Sequence, residues 1–156
     1  MSDLVQIVDY KPEYRAAFAD LNKEWISKYF KMEETDYKAL DHADAYIIDN
    51  GGYILVALYN NEPVGVCALI KMEDPDYDFE LSKMAVSPKA QGKKIGWMIG
   101  EAIKDKARKL GAKKLYLESN TILLPAINLY RKLGFIEVFD RPTAYERCNI
   151  QMELTL

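Results

Sequence analysis

Two rhythms of apolar residues alternate along this chain, and each change of rhythm marks an element. From Leu4 to Val8 apolar and polar positions alternate weakly, which predicts a short strand. Over Lys11–Phe30 the period lengthens: Phe18, Leu21, Trp25 and Tyr29 recur at three- and four-residue steps, and Pro12 suits a first helical turn. A second short helix is predicted over Glu34–Leu40, before the breaker Asn50-Gly51-Gly52. Strands at Tyr53–Tyr59 and Val64–Lys71 flank the turn Asn60-Asn61-Glu62-Pro63 and should form a hairpin. Phe79–Val86 is a third strand, bounded by Asp74-Pro75-Asp76 and Ser87-Pro88. Gly92–Leu110 reads as a long helix stopped by Gly111, and Lys114–Glu118 as a strand. Pro125–Leu133 is a helix capped by Gly134, followed by strands at Phe135–Phe139 and Arg147–Leu154.

The resulting order is β-α-α-β-β-β-α-β-α-β-β. Early strands joined by short turns should be antiparallel, and later ones separated by helices should be parallel in part. That is an α/β fold with a mixed sheet and helices on both faces. No repeat, low-complexity tract or flexible linker interrupts the 156 residues, so residues 1–156 are expected to form one domain. Nearly half the residues are apolar, enough to build a core and exclude disorder. The net charge of −3 comes from mixed acidic and basic residues, with no basic block for a nucleic acid. The two cysteines, Cys67 and Cys148, lie far apart, and His42 is the sole histidine. Neither a disulfide framework nor a metal site is expected. The N-terminus MSDLVQIVDY has no basic region or long apolar run, and nothing approaches the roughly 20 apolar residues of a membrane span. These features point to a cytoplasmic protein, a monomer or homodimer, with no membrane or nucleic-acid partner.

The most informative segment is Val86-Ser87-Pro88-Lys89-Ala90-Gln91-Gly92-Lys93-Lys94-Ile95-Gly96-Trp97, which follows a strand and opens a helix. The first N–H groups of a helix lack internal partners and, with the helix dipole, make an anion site. Lys93 and Lys94 add positive charge. The Walker pattern and the dinucleotide GxGxxG pattern are both absent, since Gly92, Gly96 and Gly100 fall four apart. Spacing alone leaves two readings open: a phosphate-bearing ligand, or glycines at a packing contact.

The segment Gln91-Gly92-Lys93-Lys94-Ile95-Gly96 resembles the acetyl-CoA loop of the GNAT superfamily of N-acetyltransferases, Q/R-x-x-G-x-G/A. Gln91 and Gly96 match, while Lys94 stands where the middle glycine is usual, which suggests a backbone there open to any residue. Ala126-Ile127-Asn128-Leu129-Tyr130-Arg131-Lys132-Leu133-Gly134-Phe135 resembles the second signature, A-x-x-L-Y-x-K-x-G-F. Glu80–Val86 resembles the central strand, and Leu115–Asn120 the strand between the two signatures. The asparagine often found three before the alanine is Leu123 here, and Asn120 is its candidate substitute.

The resemblance implies a central mixed, mostly antiparallel sheet flanked by helices, acetyl-CoA as acyl donor, and direct transfer to a primary amine of a small molecule or peptide. An alternative is a non-catalytic acyl-CoA sensor on the same fold. The chemistry needs a base to free the amine, a donor for the carbonyl oxygen and an acid for the departing thiolate. Tyr130 is the candidate acid, since a phenol with a pKa of about 10 is protonated at neutral pH. Glu80 is the candidate base, with Glu118 as rival. Strand alternation places Glu80, Ser82, Met84 and Val86 on one face. The backbone of Met84, Ala85 and Val86 should hydrogen-bond the pantetheine beyond a bulge, leaving one N–H for the thioester oxygen. Gln91, Gly92, Lys93, Lys94, Ile95, Gly96 and Trp97, with Asn120 and Tyr130, complete the expected cofactor site. Trp25, Tyr29, Phe30 and Tyr145 are the candidates to frame the acceptor. The acidic stretch Glu33, Glu34, Asp36, Asp41 and Asp44 reads either as attraction for a cationic amine or as a solvated helix face.

Overall fold

The computed structural model describes residues 4–156; Met1–Asp3, the start of the segment read for a leader, lie outside them. The elements follow the expected order: β1 (Val5–Asp9), α1 (Arg15–Tyr29), α2 (Glu34–Asp41), β2 (Tyr53–Tyr59), β3 (Glu62–Lys71), β4 (Phe79–Val86), α3 (Ile95–Lys109), β5 (Lys114–Ser119), α4 (Leu124–Leu133), β6 (Ile136–Val138) and β7 (Ile150–Thr155). Short 3-10 turns precede α1 and α3, at Pro12–Tyr14 and Pro88–Ala90. A π-helical turn at Asp44–Ile48, closed by the Asp49 N–H donating to the Asp44 carbonyl, was not legible from periodicity. The strands form one sheet in the order β1-β2-β3-β4-β5-β7-β6. Among the described residues only β4 and β5 pair in parallel; every other neighbour is antiparallel. Among the described residues, no helix is long and apolar enough to cross a membrane.

The strands bury both faces, so two cores form. On one side Leu55, Cys67, Leu69, Leu81, Leu117 and Met152 meet Ile95, Ile99 and Ile103, the inward stripe of α3 at four-residue spacing. On the other side Ile54, Val56, Val66 and Ala68 meet Phe18 and Ile26 of α1 and Ala39 and Leu40 of α2. Tight contact of α3 with α4 depends on glycine: a Cβ on Gly100 would lie 2.5 Å from Leu133 Cδ1. The β2–β3 hairpin turns on Asn60 and Asn61, both with left-handed backbones that asparagine tolerates, and β3 therefore begins at Glu62.

Other boundaries moved as well. α3 starts at Ile95, three residues later than expected, because Gly92 (φ 83°) and Lys94 (φ 60°) have left-handed backbones that no α-helix accepts. β6 is only three residues long, on the sheet edge. β7 begins at Ile150, because Arg147 is drawn out of line to an ion pair with Asp36.

Candidate active site

The site arises where the sheet comes apart. β4 and β5 pair at Phe79↔Leu115 and Glu80↔Tyr116, and no further. Beyond that point the strands separate around a cleft of about 540 Å3. Its floor and walls include Glu80 and Met84–Val86 from β4, Glu118 and Asn120 at the end of β5, Tyr130 from α4, and Tyr145 and Arg147 from the segment before β7. The α1 side contributes Trp25, Tyr29 and Phe30.

A β-bulge turns β4 at this place. Val66 faces Ala85 and Ala68 faces Ser82, so one extra β4 residue stands against β3. Lys83 takes up the extra length with a left-handed backbone, φ 54°. For a residue with a side chain, that conformation costs about 1–2 kcal/mol and persists only where the surroundings hold it. The bulge breaks the alternation. Phe79 and Leu81 pack with the α3 core, and after the bulge so do Met84 and Val86, while Ala85 joins the α1–α2 core. Glu80 and Ser82 therefore do not share a face with Met84 and Val86. Strict period-two reasoning fails across Lys83.

Glu80 is partly exposed to the cleft, and among the described residues no group hydrogen-bonds its carboxylate. Burial pushes its pKa up to about 7, Glu118 pushes in the same direction, and Lys83 opposes both. Glu118 stands differently. Its carboxylate accepts the backbone N–H groups of Ala144 (3.0 Å) and Tyr145 (3.3 Å) and the Tyr116 hydroxyl (3.0 Å). It is thereby committed to holding the 140s segment against β5. Tyr130 sits in the last turn of α4, its ring edge-on to Phe135 at 6.1 Å between centroids. Its hydroxyl has no hydrogen-bond partner among the described residues, and burial, helped by the nearby Cys67, raises its pKa above the ordinary phenol value. Cys67 is fully buried and its thiol is itself pushed up by that burial.

The loop ahead of α3 divides. Met84, Ala85, Val86 and Gln91 line the cleft, whereas Gly92–Trp97 lie beyond its wall at the helix start. Met98 is the first α3 residue whose N–H finds a helical carbonyl, that of Lys94 at 3.0 Å, so the N–H groups of Ile95, Gly96 and Trp97 have no partner within the helix. Ile95 is buried in the core, Trp97 is 37% exposed, and Lys93 lies over the Tyr59 ring at 4.7 Å. Gly96 faces protein: a Cβ there would meet Leu129 Cδ2 at 3.3 Å and Val86 Cγ2 at 3.9 Å. A packing contact is therefore present at this glycine. Asn120 spends its amide locally, donating to the Arg147 carbonyl (2.7 Å) and accepting from the Ile122 N–H (3.0 Å).

The profile of the acetyltransferase (GNAT) family matches residues 17–135. This chain belongs to the GNAT acetyltransferase family. It is 32% identical over 100 residues to YjgM, an uncharacterized N-acetyltransferase of Escherichia coli K12, a match covering 62% of this chain and 60% of that protein. It is 37% identical over 83 residues to an IAA acetyltransferase of Azospirillum brasilense, covering 53% of this chain and 54% of the relative. The matches thus span little more than half the length of either relative. In fold it resembles a GNAT acetyltransferase of Staphylococcus aureus Mu50, at 19% identity and TM-score 0.87 over 97% of this chain and 99% of that one. It also resembles the spermidine N-acetyltransferase of Vibrio cholerae in complex with CoA and spermine, at 18% identity and TM-score 0.72 over 97% and 95%.

Two features of this GNAT chain correct the sequence reading. Lys94 does not stand on a backbone open to any residue; its φ of 60° is the left-handed region, where the glycine usual in the GNAT loop would sit without strain. The acidic stretch is not one feature: Glu34, Asp41 and Asp44 lie on a solvated face, while Glu33 and Asp36 turn inward. Glu33 pairs with Arg147 (3.4 Å), Glu34 with Lys38 (3.8 Å), Asp41 with Lys23 (2.5 Å) and Asp44 with Arg15. Asp36 is fully buried and binds Lys83 at 2.5 Å and Arg147 at 2.6 and 2.7 Å. Burial would raise its pKa, but Arg147 and Lys83 hold the carboxyl down at about 2. Sequence reasoning missed Asn22, Lys83 and Arg147. A lysine in the middle of the strand Phe79–Val86 was the one available signal.

Proposed function

We propose that this protein transfers an acetyl group from acetyl-CoA directly to a primary amine of a small molecule or peptide, working as a single domain. The observation that carries this reading is the meeting, in one cleft, of an unpaired strand edge, an uncommitted carboxylate and an uncommitted phenol. The edge at Met84–Val86 has lost β5 and fits an extended, amide-bearing chain as an extra strand. The N–H groups that open α3 fit the phosphates of a coenzyme A. Bound there, acetyl-CoA would supply the thioester. Glu80, with a pKa of about 7, is poised to take a proton from the incoming ammonium at neutral pH. A backbone N–H past the Lys83 bulge stabilises charge developing on the carbonyl oxygen. Tyr130, protonated throughout the physiological range, donates to the departing sulfur. Glu118 is the weaker base because three donors already hold it. Two uncommitted proton-transfer groups also favour the enzyme over a non-catalytic sensor.

At the acceptor end, Trp25, Tyr29, Phe30 and Tyr145 frame the opening. None of the acidic residues of the Glu33–Asp44 stretch lines the cleft, and Glu24 and Lys28 on its α1 side carry opposite charges, which favours a monoamine over a polyamine such as the spermine bound by the Vibrio protein. Cys67 and Cys148 are free thiols, which supports work in a reducing compartment, the cytoplasm. Incubation with acetyl-CoA and a panel of monoamines, polyamines, amino acids and peptides, followed by thiol release and mass spectrometry, tests the activity. Thiol release with a monoacetylated amine is expected. Binding of acetyl-CoA without release on any amine would favour the sensor instead.

A further inference from the structure

Lys83 is held by both ends of its residue. Its carbonyl accepts the side-chain amide of Asn22 from α1 at 3.1 Å, and Asn22 is itself fully buried and accepts the Trp25 indole N–H at 3.1 Å. Its ammonium reaches Asp36 of α2 at 2.5 Å and donates to the Tyr145 hydroxyl at 3.0 Å. Arg147, before β7, grips the same Asp36 with two nitrogens. One chain of contacts therefore joins α1, α2, the bulged strand and the opposite wall of the cleft. The Lys83 side chain is only 2% exposed, its backbone is left-handed, and it lines the same cleft as Glu80, three residues earlier on β4.

Resting on the acetyl-transfer reading above, we propose that Lys83 is a positioning residue for the reaction: its backbone, clamped by Asn22, turns the 84–86 edge into the cleft, and its ammonium, anchored on Asp36, keeps Glu80 available as a carboxylate. Glu118 from β5 disfavours the charge on Glu80, as does burial, and Lys83 on β4 favours it; burial in turn works against the Lys83 ammonium, which Asp36 supports. Tyr145 is uncharged and lies over the Lys83 ammonium at 4.6 Å. Arg147 is matched to Asp36 and Glu33, and Glu24 and Lys28 line the α1 side of the cleft as opposite charges. Removing the Lys83 ammonium leaves Asp36 with Arg147 and the Glu33 N–H, and its less compensated charge also disfavours a carboxylate at Glu80.

The test is a titration of the Glu80 side-chain carboxyl by carbon-13 NMR in the wild type, Lys83→Met and Lys83→Gly. Glycine suits the left-handed backbone, so this variant preserves the bulge if methionine prevents folding. Both variants should raise the Glu80 midpoint by roughly one pH unit. The acidic limb of kcat/KM should rise with it, while the dissociation constant of acetyl-CoA changes less than about threefold in Lys83→Gly. An unchanged or lowered midpoint in a folded variant overturns the proposal. Absence of any transfer by the wild type would sink the activity reading, and the carboxyl titration would still decide the role of Lys83.

Discussion

Replacing Glu80 by glutamine should stabilise this protein while disabling it. The carboxyl lies at about 7 in the folded chain against 4.5 for an ordinary glutamate. At 1.36 kcal/mol per pKa unit, that displacement corresponds to roughly 3 kcal/mol between the ionised and neutral forms. A carboxyl whose pKa rises on folding binds its proton more tightly in the native state. Stability therefore falls as pH rises from 4.5 to 7, and the loss is complete above 7. Glutamine keeps the size and polarity without the ionisation, so it removes the penalty. The two proteins should melt together near pH 4.5 and diverge upward. At pH 8 the variant should be the more stable by about 2–3 kcal/mol, or on the order of 5–10 °C in Tm for a chain of this length. Paired thermal melts from pH 4.5 to 8 measure the difference, in which the titration of groups that do not interact with Glu80 cancels. In parallel, kcat should drop most at neutral pH and partly recover toward pH 10, where more of the amine is already neutral. A difference in Tm that stays flat across this range, or a less stable variant at pH 8, would show that Glu80 is not held as a strained carboxylate.

Tyr130→Phe keeps the ring against Phe135 and removes only the hydroxyl; kcat should fall roughly 10²–10⁴-fold with acetyl-CoA affinity little changed, read by steady-state kinetics and calorimetry. Lys94→Gly relieves the left-handed backbone and should add about 0.5–1 kcal/mol, or roughly 1–4 °C in Tm, after allowing for the freer unfolded chain. Gly100→Ala should cost about 1–3 kcal/mol by pressing on Leu133, more than Gly96→Ala against Leu129, and both folded variants should still bind acetyl-CoA in calorimetry. Loss of binding in Gly96→Ala at unchanged stability would return that glycine to the ligand.

The fold was legible because its signals are local. The strand run Tyr53–Tyr59 is a continuous apolar segment, Phe79–Val86 is bounded by turn residues at each end, and both span the same residues in the structure. Gly134 announced the end of α4, where it adopts φ 107°. Within the site, Glu80, Tyr130 and the Met84–Val86 edge were brought together as the motifs implied. What failed was every inference that carried a local rule across a tertiary constraint. Alternation along β4 breaks at Lys83 because an extra residue is forced in against β3, and no property of the β4 sequence marks that residue apart from its charge. The acidic run Glu33–Asp44 looked like one feature because its members are adjacent. In the folded chain they answer to five separate cations, at Lys23, Arg15, Lys38, Lys83 and Arg147. Asp36 and Lys83 are 47 positions apart, and Asp36 and Arg147 are 111 apart. Each alone is an unremarkable surface-type residue, and only their joint burial distinguishes them. A lysine whose side chain is buried on a central strand must either break the strand or find a buried anion. The strand is intact, so the anion had to exist, and the candidate base beside it is the group whose charge that pairing controls.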